Sequence, residues 1–284
     1  MTVETVLVAG ADGRRGRAVV DAVLAAGFDV HVLVTDPERA DARALAEHGA
    51  TLVRGRRDQL DHVDDALAGT DADALLARPG RDDAQSVLER GRTLARAAER
   101  AGVDHAVFTS VGNAGTEPGV PAVDAAAAVE DALRDRDVSA TVLRTHLPMQ
   151  GLERRRSAVR ERGDLVLPLE WGARATLSDA ADVGRFAARV FDAPGTFADE
   201  TYELVGDRLS LPEIAETVSD VTDREIDYTY GGPDAAPDDR SAFYRWVNEG
   251  GLGADVETEV DVPDFEPTGL REYLARAGWG RDAE

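Results

Sequence analysis

Gly10, Gly13 and Gly16 stand three residues apart in the run Gly10-Ala-Asp-Gly13-Arg-Arg-Gly16. An apolar stretch, Val6–Ala9, precedes them, and a helical pattern of Val19, Val20, Val23 and Leu24 follows. Strand, glycine turn and helix in that order can hold a pyrophosphate. The first glycine permits a tight turn and the second lets backbone approach the phosphates. The third lets the helix pack on the strand, so that its free N–H groups and positive end face the anion. The chemistry expected is binding of a dinucleotide, NAD or NADP, with Gly10, Asp12, Gly13, Arg14, Arg15 and Gly16 around the phosphates.

Other candidates follow from where strands end. The second strand runs into Thr35 and Asp36, beside the expected adenosine ribose. An acid there accepts from the ribose 2′-OH and favours NAD, whereas a cation favours the 2′-phosphate of NADP. Arg14, Arg15 or Arg39 could supply that cation, so the cofactor form stays open. Ala77-Arg78-Pro-Gly80 follows the fourth strand and would border the cofactor. Thr109-Ser110 ends the fifth strand, where a hydroxyl would face the nicotinamide. Ser110 and His146 are the catalytic candidates by residue type, with Asp124 a third. His31, His48, His62 and His105 are isolated and show no metal-ligand spacing. Arg154-Arg-Arg156 reads either as a solvated loop or as a contact for an anionic ligand.

These residues need a scaffold that brings strand ends together. Short apolar runs at Thr5–Ala9, Val30–Val34, Thr51–Val53, Ala72–Leu76, His105–Thr109 and Ala140–Leu143 alternate with helical patterns at 16–26, 39–48, 60–68, 84–101 and 123–134. That alternation implies an α/β fold with a doubly wound parallel sheet. The first strand should lie centrally, where strand order reverses and ligands bind. After Arg144 the rhythm changes. A strand is expected at Ala175–Leu177, a helix capped by Ser178 and running to Phe191, and a strand at Thr201–Val205. A capping box at Ser210-Leu-Pro-Glu213 opens a further helix. A strand at Ile226–Tyr230, a surface linker at Gly231–Arg240 and helices at Ser241–Asn248 and Thr268–Ala277 complete the chain. The expected division is a binding domain over 1–145 and a smaller α/β lobe over 146–284, partly interleaved with it, for a substrate or a partner.

Composition narrows the setting. The 284 residues carry 32 basic and 55 acidic side chains, a net charge of −23, and no lysine. Acids scattered throughout, with arginine as the only strong cation, suggest the surface of a halophilic protein in a high-salt cytosol. Such a charge argues against direct binding to nucleic acid and to anionic membranes. The chain has no cysteine, which excludes disulfides and thiolate chemistry. No apolar run approaches about 20 residues and no signal peptide precedes the first strand, so a cytoplasmic location is expected.

In this order and spacing the motifs resemble the NmrA-like group of atypical short-chain dehydrogenases/reductases over nearly the full length. The matching pieces include Val8–Gly16, Leu33–Glu38, Phe108–Val111, Val129–Leu133, Thr141–Arg144 and Asp179–Gly184. The resemblance implies a Rossmann domain, NAD(P) at the glycine turn, and either a reductase of quinones or carbonyls or a catalytically silent redox sensor. It also marks departures. Reductases of the group carry Lys or His four residues before the acid matching Glu130, and Ala126 stands there. Thr35 replaces an Arg common after strand two, and Arg56 replaces an Asp that follows the glycine matching Gly55. The five tyrosines all lie beyond residue 200, outside the helix where a catalytic one would sit. The expectation is therefore a dinucleotide-binding sensor, regulator or assembly protein with weak or no turnover. The alternative is a reductase that moves a hydride without the usual lysine.

Overall fold

Val6, Leu7, Val8 and Ala9 do not alternate in polarity because both faces of their strand are covered, and all four are fully buried. In the computed structural model, residues 3–11, 14–76, 83–232, 241–253 and 264–280 are described, with backbone alone for Arg14, Arg15 and 72–76. The expectations at Asp12, Gly13, Ala77, Arg78 and most of the 231–240 linker lie outside the described residues.

The first elements are β1 (Thr5–Ala9), α1 (Arg14–Ala25), β2 (Asp29–Val34), α2 (Ala40–Glu47), β3 (Thr51–Arg54) and α3 (Leu60–Leu67). Then come β4 (Ala72–Leu76), α4 (Ala84–Ala101), β5 (His105–Val111), α5 (Pro121–Arg134), β6 (Ala140–Thr145) and β7 (Leu147–Pro148). α6 (Arg156–Arg162), β8 (Asp164–Leu167), β9 (Arg174–Ser178), α7 (Ala180–Asp192), α8 (Pro194–Phe197), β10 (Thr201–Leu204) and β11 (Asp207–Ser210) follow. The chain closes with α9 (Leu211–Thr222), β12 (Asp227–Tyr230), α10 (Ser241–Asn248) and α11 (Leu270–Arg276). Residues 1–144 and 180–203 form one compact unit, and residues 145–179 and 204–284 form another.

The first unit is built on a seven-stranded sheet in the order β10-β6-β5-β4-β1-β2-β3. β1 pairs in parallel with β2 on one side and β4 on the other, with Val8 opposite Val32 and Ala74. Strand order therefore reverses between β1 and β4, as the glycine turn requires. Phe108, Leu94, Leu133 and Leu7 centre the core between the sheet and α4–α5, each contributing about 1.5–3 kcal/mol. Two glycines bring helices into close contact. A Cβ on Gly91 would stand 2.3 Å from Val129 Cγ2, between α4 and α5. One on Gly184 would stand 2.6 Å from Ala22 Cβ, between α7 and α1.

The second unit holds a three-stranded sheet, β11-β9-β7, and a two-stranded one, β12-β8. Polar side chains tie its termini together. Asp179 accepts from Gln150 Nε2 at 2.6 Å and from Arg276, and Glu153 accepts from the Trp279 indole at 2.7 Å. Ser210 and Glu213 form the expected capping box of α9.

Four expectations need correction. Ser178 does not cap a helix; it is the last residue of β9, and its hydroxyl donates to the Leu204 carbonyl at 2.5 Å. β5 runs two residues further than expected, to Val111, which puts Ser110 inside a fully buried strand. α1 starts at Arg14, two residues early. β8 and β11 were not anticipated, because four-residue strands flanked by charge carry little periodic signal. Among the described residues no helix is long and apolar enough to cross a membrane, and no group of His, Asp and Glu could hold a metal ion.

Candidate functional site

The turn after β1 is shaped by backbone. Gly10 has φ +99°, a conformation that side chains strongly disfavour. A Cβ on Gly16 would fall 2.3 Å from Ala11 Cα and 2.4 Å from its carbonyl oxygen, so only glycine lets α1 start this close to β1. Arg14, Arg15 and Gly16 open the helix, and N–H groups in a first turn have no partner within the helix. No acid stands in that turn. The cradle can therefore receive an anion through backbone donors and the helix dipole. Asp12 and Gly13 lie outside the described residues.

Beyond β2 lies a cleft of about 190 Å3 lined by Thr35, Asp36, Arg39, Asp41, Gly55 and Arg57 among others. Three sequence candidates, Thr35, Asp36 and Arg39, thus share one wall system. Arg39 forks onto Asp41, Nε to Oδ1 at 3.0 Å and Nη2 to Oδ2 at 2.9 Å. The hydrogen bonds from Arg39 hold the Asp41 carboxyl below its ordinary range. Asp36 Oδ1 accepts from the Glu38 N–H at 3.0 Å. Arg56 forks in the same way onto Asp58, at 2.9 and 2.5 Å.

The C-terminal end of β5 is closed by a buried polar network. Ser110 Oγ donates to Glu130 Oε1 at 2.5 Å. Arg144, from β6, donates to both Glu130 oxygens, at 3.1 and 2.8 Å, and Arg134 adds a third guanidinium bond at 3.0 Å. Arg144 also faces Glu203 of β10 at 3.6 Å, and Glu203 accepts from the Asn113 N–H at 3.4 Å. Ser110 and Glu130 are 0% and 1% exposed. Burial works against the Arg144 charge, but the hydrogen bonds and charges of Glu130 and Glu203 outweigh it and hold the guanidinium above its ordinary pKa. Ala126, one turn before Glu130 on the same face of α5, is fully buried. In the sequence Glu130 stands only as a reference position in a family motif, and nothing there marks Arg144 or Glu203 as its partners. The signal available was an acid pair, Glu130-Asp131, in an otherwise apolar stretch, Ala125–Leu133, with Glu130 on the buried face.

His146 belongs to the second unit. Its Nδ1–H donates to the Leu204 carbonyl at 3.3 Å, and its backbone N–H donates to Ser178 Oγ at 3.0 Å. His105 lies in the first unit, fully buried. Thr141 spends its only hydroxyl proton on the Phe197 carbonyl at 2.7 Å, so it accepts from His105 Nε2 at 2.8 Å. Nδ1 then accepts from Ser139 at 2.9 Å. Burial pushes the His105 pKa down to about 4, and the ring is a neutral structural group. In the Arg154–Arg156 run, Arg156 donates to the Gly278 carbonyl at 2.6 Å and lies 5.9 Å from the Trp279 ring centroid.

A parallel sheet with its switch point at a glycine turn, and a backbone anion cradle there, define a Rossmann-type protein. The chain belongs to the NmrA-like family, whose profile matches residues 2–272. No curated protein matches it in sequence. Among solved structures it resembles the Citrobacter sp. triphenylmethane reductase complexed with NADP(H), at 21% identity and TM-score 0.80, over 96% of this chain and 99% of that one. It also resembles the NADPH-dependent quinone oxidoreductase of Escherichia coli complexed with NADPH, at 22% identity and TM-score 0.78, with the same coverage. NmrA, a negative transcriptional regulator in complex with NADP, is 19% identical with TM-score 0.74, over 99% of this chain and 93% of that one.

Proposed function

We propose that this chain binds a nicotinamide dinucleotide at the β1–α1 turn and reports its redox state, with weak or no turnover. The observation that carries this reading is the Ser110–Glu130–Arg144 network. The hydroxyl and carboxylate that stand where a proton donor would be sought are spent on each other and shut from solvent, and the position one turn earlier on the same face of α5 holds Ala126. Gly10, Asp12, Gly13, Arg14, Arg15 and Gly16 surround the phosphates, and the missing Cβ of Gly16 supports this reading by letting the first turn of α1 close on Ala11. Thr35, Asp36 and Arg39 meet the adenosine ribose, and Ala77 and Arg78 border the remaining path. Ser110 is spent on Glu130 and holds the end of β5. When bound, the cofactor supplies a hydride-carrying group whose two redox forms differ in charge.

The second unit is the surface for a partner or substrate. The −23 charge repels nucleic acid, so a regulatory output would pass through a protein. The same charge, with no lysine, supports a high-salt cytoplasmic setting. Likeness to NmrA, described as a regulator crystallised with NADP, supports the sensor reading. The test is calorimetry with the four nicotinamide dinucleotides in molar salt, then oxidation of the reduced forms by quinones, aldehydes and triarylmethane dyes. Binding with turnover below about 0.1 s⁻¹ is expected, against about 1–1,000 s⁻¹ for ordinary enzymes. Turnover in the ordinary range would sink the sensor reading.

A second reading, an NAD(P)H-dependent reductase, draws on likeness to the quinone and dye reductases over nearly whole chains. Hydride transfer needs alignment more than an acid, and His146 or water would supply the proton. In that case His146→Ala lowers the rate, and an unchanged rate removes the residue from the reaction.

A further inference from the structure

We propose that the cleft beyond β2 selects the dinucleotide without a 2′-phosphate, NAD(H) over NADP(H), with Asp36 as the discriminating residue. The inference rests on the dinucleotide reading above and departs from the solved relatives, three of which were crystallised with NADP(H) or NADPH.

A 2′-phosphate brings up to two negative charges and is held best by a guanidinium fork with two parallel N–H bonds. At and beside this cleft three arginines are already paired with carboxylates. Arg39 is bidentate on Asp41 at 3.0 and 2.9 Å. Arg56, at the tip of the neighbouring strand, is bidentate on Asp58, and Arg43 pairs with Glu38. In two of these pairs the acid stands two residues after its arginine, so the competing carboxylate is always within reach. Thr35, where a cation would help, brings only a hydroxyl. The charges lining the cleft, Arg39 and Arg57 against Asp36 and Asp41, sum to zero, and nothing in that balance offsets a phosphate.

An exposed fork is weak, so Asp41 alone would handicap NADP(H) only a few-fold. Asp36 carries the larger share because its own carboxylate lines the cleft and, among the described residues, no guanidinium closes on it; Arg43, which is paired with Glu38, acts on it only through space. Its Oδ1 is fixed by the Glu38 N–H at 3.0 Å. Its Oδ2 accepts no hydrogen bond from the described residues, and it can take one from a ribose hydroxyl. A phosphate ester has lost that donor and meets a like charge instead.

The test is calorimetric titration of the full chain with NAD⁺, NADH, NADP⁺ and NADPH in molar salt, repeated on Asp36→Asn and Asp36→Asn/Asp41→Asn, with circular dichroism to verify folding. The NAD forms should bind at least about tenfold tighter in the natural chain. Asp36→Asn should narrow the ratio, and the double variant should reverse it. Equal or tighter binding of NADP(H) by the natural chain overturns the proposal. A preference for NAD(H) that both variants keep overturns the role of Asp36. Binding of none of the four dinucleotides fails the dinucleotide reading itself, which is a different result.

Discussion

Ser110 donates its hydroxyl proton to Glu130 across 2.5 Å, from the end of β5 to the inner face of α5, and neither side chain reaches solvent. A hydroxyl so committed holds structure. Ser110→Ala should therefore cost about 1–3 kcal/mol of stability by leaving a buried carboxylate oxygen under-satisfied. Dinucleotide affinity should stay within about twofold, because the buried hydroxyl already spends its proton on Glu130. Chemical denaturation and calorimetry on one preparation measure both. A large loss of affinity with stability intact would contradict this role.

Glu130 and Arg144 should behave as one unit. Removing either leaves a buried charge short of its partner, and Glu130→Ala or Arg144→Ala should each cost about 3–5 kcal/mol. The double variant should lose less than the sum, because the second truncation removes a charge the first had stranded. A double-mutant cycle in denaturant measures the coupling; additive losses would mean the network is not coupled.

His105 should make stability fall in mild acid. The unfolded ring takes a proton near pH 6.5, whereas burial holds the folded ring's pKa down to about 4. Between those values the unfolded state binds more protons, so stability is complete above about pH 6.5 and declines as pH falls towards 4. The loss follows about 1.4 kcal/mol per pH unit and sums to about 3 kcal/mol. His105→Ala, although less stable at neutral pH, should show a shallower decline across that window. Parallel declines for the two proteins would rule His105 out as the cause.

Gly16→Ala and Gly184→Ala separate cradle from scaffold. Each new methyl meets backbone, Ala11 in the first case and Val19 in the second, and each variant should lose about 1–3 kcal/mol. Only Gly16→Ala should also weaken dinucleotide binding, because it alone moves the first turn of α1 from the glycine turn. Thermal melts with and without dinucleotide distinguish the two.

Salt should stabilise the protein well past physiological strength. With a net charge of −23, self-repulsion reaches about 10 Å in 0.1 M salt and about 3 Å in 1 M. The melting temperature should rise steadily over that range, and a flat profile would count against a halophilic surface.

Local features are legible in the chain itself. β1, its glycine turn and the α1 face lie within about twenty residues, and their pattern is set by steric limits on glycine and by the helical period. The capping box of Ser210 and Glu213 was legible because three residues separate its partners. The alternation of strand and helix was enough for a parallel sheet, because crossover handedness leaves few ways to wind it. The contents of the site depend on packing between distant segments. Ser110, Glu130, Arg144 and Glu203 are far apart in the chain, and none is distinctive in type. They meet because β5, β6 and β10 are neighbours in the sheet and α5 packs against β5. Burial then turned an ordinary acid on a helix into the closed end of the strand. The cleft shows the same division: residue types left Asp36 and Arg39 as rival partners for the ribose. The fork on Asp41 engages Arg39 because a guanidinium binds the nearest carboxylate of matching shape.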